Sequence, residues 1–136
     1  METTLTTSII NFASYFGLSL VLLVVFKYLY ALVTPHDEWK LIKEDQNSAA
    51  AIGLGGAVVG FAIALGGAAS NSVSWGDFLT WGVIALAAQI LAFAVVRFVY
   101  MPKIVTRIEA GEISAGIMLA ATNLAVGLMN AACMTY

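Results

Sequence analysis

Four stretches of the chain are apolar over 20 residues or more, at about 9–33, 49–69, 78–101 and 113–134. A helix needs about 20 apolar residues to cross the ~30 Å hydrocarbon core of a bilayer. None of the four alternates apolar and polar positions, and each is about twice as long as a barrel strand, so the pattern predicts four membrane-spanning helices. Little chain is left between them: polar connectors at 34–48 and 102–112, and a short loop at 70–77 that makes the second and third spans antiparallel neighbours. Within that loop, Ser74 to Asp77 reads SWGD, which resembles a helix-capping box for the third span.

The positions of the cations add a direction. Lys27, Lys40 and Lys43 flank the first connector and Arg97, Lys103 and Arg107 the second, while the first residues, the 70–77 loop and the last residues carry none. Lys and Arg resist translocation, so the pattern predicts both termini outside and both connectors in the cytoplasm. Aromatic side chains favour the headgroup level. Tyr28, Tyr30, Trp39, Phe98 and Tyr100 are expected at the inner interface, and Phe12, Tyr15, Trp75, Trp81 and Tyr136 at the outer.

The two halves echo one another. VVFKYLY at 24–30 aligns with AVVRFVY at 94–100 at an offset of 70, matching Lys27 to Arg97 and Tyr30 to Tyr100; at an offset of 65, SAAAIGLGG at 48–56 loosely matches ISAGIMLAA at 113–121. The expected organisation is two parallel two-span repeats, 1–69 and 70–136, each with a charged connector.

Composition agrees with the spans and excludes several functions. The 136 residues are 61% hydrophobic and 10% charged, against roughly 45–50% and about 25% in soluble domains. Six basic residues and a net charge of -2 exclude a nucleic-acid binder, which needs clustered Lys and Arg. One cysteine and one histidine offer no zinc-type spacing, so neither a metal nor a cofactor is expected.

Three sets of residues are candidates for function. In the first connector, TPHDEWKLIKEDQ at 34–46, Pro35 suits the first turn of a new helix with Thr34 as its N-cap, and Trp39, Leu41 and Ile42 give it an apolar side, as in a short interfacial helix. His36 beside Asp37 and Glu38 could titrate near neutral pH, but consecutive helical side chains point about 100° apart, so the segment is read as structural and no catalytic residue is assigned. The cytoplasmic-interface set is then Lys27, His36, Trp39, Lys40, Lys43, Arg97, Lys103 and Arg107, with Lys27 and Arg97 snorkelling to the headgroups.

Gly53, Ala57, Gly60, Ala64 and Gly67 fall on one face of the second span, and Gly56 with Gly60 makes a GxxxG. Small residues let helix backbones approach closely in lipid, so this is a packing stripe, facing either another span of the chain or a second subunit. In the fourth span Asn123 and Asn130 share a face with Gly116, Ala120 and Gly127, and Gln89 and Thr122 are candidate partners. The amides are read as interhelical hydrogen-bonding groups; the alternative is a polar path for water or ions lined by Gln89, Asn123 and Asn130.

Three segments carry a resemblance: TPHDEWKLIKEDQNSAAAIGLGGAVVGFAIAL at 34–65, NSVSWGDFLTWG at 71–82 and NAACMTY at 130–136. Together they resemble the YjfL-like bacterial inner-membrane proteins, which carry domain of unknown function 350, a two-span unit commonly present twice. The resemblance implies an inner-membrane location and a duplicated architecture. Its association with membrane-remodelling proteins and ATP-grasp ligases implies a cytoplasmic membrane-remodelling partner, and it supplies no catalytic residues. The resulting expectation is a non-enzymatic membrane scaffold or docking module in envelope maintenance, homo-oligomeric and in contact with lipid. The rival is a small homo-oligomeric channel or transporter.

Overall fold

The computed structural model describes residues 2–34 and 38–134. His36 therefore lies outside the described residues, as do the side chains of Trp39 and Tyr100. The described chain is helical, in the order α1 (Glu2–Val33), α2 (Glu38–Lys43), α3 (Ser48–Asn71), α4 (Trp75–Val95), α5 (Ile104–Glu109) and α6 (Ile113–Cys133), with a π-helical turn at Val96–Tyr100 ending α4. Four of these, α1, α3, α4 with its π turn, and α6, are long and apolar enough to cross a membrane.

Local chemistry sets most of the boundaries. The Asn47 side chain accepts the Ala50 amide at 3.0 Å and opens α3. Ser74 Oγ accepts the Asp77 amide at 3.2 Å, and Asp77 returns the favour by accepting the Val73 amide at 3.0 Å, which is the expected box with the return bond moved one residue earlier. Thr34 is turned back on α1, its hydroxyl donating to the Tyr30 and Ala31 carbonyls at 3.1 and 3.3 Å.

α1 starts at Glu2, well before its apolar run. Ser8 and Ser14 donate to the Thr4 and Ile10 carbonyls at 2.9 and 2.8 Å, so short polar side chains satisfy themselves on the helix and do not end it.

α3 is the central helix. Of its apolar window 56% is buried inside the protein, against 11% for α1, because α6, α4 and α1 all pack on it. An aromatic cluster fastens α1: Phe26 stacks on Phe61 of α3 with ring centroids 4.5 Å apart, and Tyr30 meets Phe93 of α4 edge-on at 5.6 Å.

Tyr30 is therefore fully buried and does not belong to the inner aromatic belt. Of the other belt residues, Tyr28, Phe98, Trp75 and Phe12 are exposed, Tyr15 and Trp81 are half-buried against the core, and Tyr136 lies outside the described residues. Near the middle of α1, Tyr15 meets Phe78 in the first turns of α4, edge-on at 5.3 Å. Beyond Tyr15, residues 2–14 continue the helix for about 20 Å, and residues 4–13 are all exposed.

Candidate functional site

The small residues form a seam between α3 and α6. A Cβ placed on Gly56 would come within 3.0 Å of the Ala120 backbone, one on Gly60 within 3.0 Å of the Asn123 carbonyl, and one on Gly127 within 3.0 Å of the Gly60 backbone. The two backbones are thus in direct contact, which is how helices gain attraction where lipid supplies no hydrophobic drive. Gly67 meets Ala131 and Gly116 meets Ala49 in the same way, while Gly53 faces the Leu119 side chain. Ala57 and Ala64 are fully buried. The seam therefore runs through Gly53, Gly56, Gly60 and Gly67, within one chain.

The polar side chains of the spans lie beside this seam and join α4 to α6. Gln89 Nε2 donates to the Asn123 carbonyl at 2.8 Å, and Asn130 Nδ2 donates in the opposite sense to the Ala85 carbonyl at 3.1 Å. Asn123 Nδ2 bonds its own helix at the Leu119 carbonyl, 3.0 Å away. Gln89 and Asn123 are fully buried, and Gln89 Oε1 and Asn123 Oδ1 accept no hydrogen bond within the protein. Thr122 takes no part, because its hydroxyl donates to the Met118 carbonyl at 3.0 Å.

At the basic end, the two connectors are stitched together by Asn47, the residue that also opens α3. While Asn47 Oδ1 caps α3, its Nδ2 donates to the Ile108 carbonyl of α5 at 2.7 Å. Ile104 and Ile108 turn into the core, Leu41 and Ile42 of α2 pack against it, and Lys40, Lys43, Glu44, Asp45 and Lys103 face outward. Arg107 Nε bonds Glu112 Oε2 at 2.5 Å on the surface. Lys27, half-buried, lies 4.9 Å from the Tyr28 ring centre, and Arg97 lies 5.4 Å from that of Phe98. Among the described residues no group of three or more His, Cys, Asp and Glu could hold a metal ion.

Four apolar helices, a glycine seam and cations gathered at the helix ends define a multi-pass α-helical membrane protein. It belongs to the family described as a domain of unknown function, DUF350, which matches residues 4–134. It is 41% identical over 129 residues to the UPF0719 inner membrane protein YjfL of Escherichia coli strain K12, covering 95% of this chain and 96% of the relative. The same figures hold for the protein of that name from Escherichia coli O157:H7. The chain is accordingly a multi-pass protein of the inner membrane. No solved structure matches it.

Proposed function

We propose that the protein is a non-enzymatic scaffold or docking module of the inner membrane, built as two parallel two-span repeats with both termini outside. The observation that carries the reading is the Asn47 bond to Ile108. It ties the end of the first connector to α5 of the second, at the end where all six cations lie, a surface suited to a cytoplasmic membrane-remodelling partner. The spans beneath serve packing, their amides donating to backbone carbonyls.

The repeat is supported by backbone geometry as well as by sequence. The two described residues with positive φ, Gln46 at 50° and Gly111 at 80°, each follow a short helix and stand two positions before a long one. They are separated by the same offset of 65 that aligns α3 with α6. Homo-oligomerisation is supported by α1, which leaves Leu5, Ile9, Phe12 and Phe16 exposed along one face.

The test is partner capture from cells by the full chain. Charge reversal at Lys40 and Lys43 abolishes capture while membrane insertion is retained; capture unaffected by the reversal refutes the docking role. A second reading, a homo-oligomeric channel or transporter, draws on Gln89 Oε1 and Asn123 Oδ1, two buried acceptors that a permeating water or cation would satisfy. Liposomes impermeable to all tested ions and solutes, with oligomers verified in the bilayer, refute that one.

A further inference from the structure

The basic end of α4 closes in an unusual way. The Met101 amide donates to the Val96 carbonyl at 2.8 Å, a five-residue π closure, and Pro102 stops the helix from continuing. Such turns are rare and frequently mark functional places. The chain then bends into α5, with Lys103 at its N-cap and Arg107 one turn on, the Arg107 amide donating to the Lys103 carbonyl at 3.0 Å. Both side chains line one open surface pocket of about 320 Å³ together with Met101 and Pro102.

We propose that this bend binds the phosphate-bearing headgroup of an anionic lipid. Lys103 and Arg107 supply the countercharge. Arg107 bonds Glu112 through Nε, and the two terminal nitrogens of its fork are further donors that suit a phosphate. Met101 and Pro102 give the glycerol and upper acyl carbons an apolar contact that free phosphate does not need. The location fits as well, because the bend is where an apolar span ends and the interfacial α5 begins.

The pair has no counterpart at the aligned positions of the first half, whose basic pair stands instead at Lys40 and Lys43. At the offset of 65 the first connector has Glu38 and Ile42 in these positions, so the general excess of basic residues at this end does not account for it. The inference is independent of the docking role.

The test uses the full chain in non-ionic detergent, with its thermal midpoint titrated against phosphatidylglycerol, phosphatidylcholine and inorganic phosphate. Phosphatidylglycerol raises the midpoint saturably and phosphatidylcholine does not. In the Lys103→Gln/Arg107→Gln variant the half-effect concentration rises about thirtyfold, or about 2 kcal/mol, whereas Lys40→Gln/Lys43→Gln leaves it unchanged. Lys103→Gln alone, which leaves the Arg107–Glu112 pair intact, gives about fivefold and decides the matter if the double variant misfolds. Equal stabilisation by inorganic phosphate overturns the lipid assignment. So does equal weakening by the two double variants, or no saturable effect.

Discussion

Gln46 and Gly111 occupy the same left-handed backbone region, φ 50° and 80°, at matching places in the two halves of the chain. Glycine enters this region freely, whereas a residue with a Cβ is held there at a cost of about 1 kcal/mol. Gln46→Gly is therefore expected to stabilise the protein by about 0.5–1 kcal/mol, and Gly111→Ala to destabilise it by about 1 kcal/mol. Unfolding of both variants in mixed micelles, compared with the wild type, measures the difference. A destabilised Gln46→Gly would mean that the Gln46 side chain contributes more than its backbone strain removes.

The glycines of α3 divide into two groups. Gly56 and Gly60 touch the α6 backbone, while Gly55 and Gly66 have nothing within 4 Å of an added Cβ. Gly60→Ala is expected to cost about 1–3 kcal/mol through overpacking. Gly55→Ala and Gly66→Ala are expected to be neutral, or stabilising by up to about 1 kcal/mol through helix propensity. Steric-trapping measurements in bicelles separate the two groups, and similar values for all three would contradict a backbone contact at Gly60.

Gln89 and Asn130 make reciprocal bonds between α4 and α6. Asn130→Leu is expected to lose about 0.6 kcal/mol, the average for such bonds in membrane proteins. Gln89→Met removes one donor together with a buried acceptor that has no partner, so its net effect is expected to be smaller. Gln89→Glu introduces a charge at the same depth and is expected to cost about 3 kcal/mol, as on insertion scales. The ranking of the three, read from unfolding in a common detergent, is the check.

Asn47 has two partners, so its loss affects two helices. Asn47→Ala is expected to cost about 1–2 kcal/mol from the cap alone and in addition to release α5. Hydrogen exchange should quicken at the Ala110, Gly111 and Glu112 amides, which bond to carbonyls of α5. Asn47→Asp keeps the cap acceptor but removes the donor to Ile108, so α5 is expected to loosen while the start of α3 stays protected. If α5 exchange were the same in both variants as in the wild type, the tether would be of no consequence.

How far the sequence could be read depended on the range of the interaction. Spans follow from apolar length, a property of each segment alone, and the cap at Ser74 follows from neighbours within four residues. The glycine face of α3 was visible, but its partner was not, because direct backbone contact with α6 depends on where Gly116, Ala120 and Gly127 sit after folding. Tyr30 departs from its expected place because a tyrosine near a span end fits a headgroup belt as well as a core, and only Phe26 and Phe93 decide between them. The second bond of Asn47, spanning 61 residues, left no local trace. The π turn left none beyond Pro102.

α1 is 32 residues long, about 48 Å of rod for an oil layer of about 30 Å. From Tyr15 to Tyr30 it packs on the rest of the chain through Tyr15, Leu22, Phe26 and Tyr30, while residues 4–13 ahead of Tyr15 are exposed. Held along its second half and exposed along its first, the rod is expected to follow membrane thickness: a thinner bilayer leaves more of residues 4–13 wet, and a thicker one draws Ile9, Ile10 and Phe12 into oil.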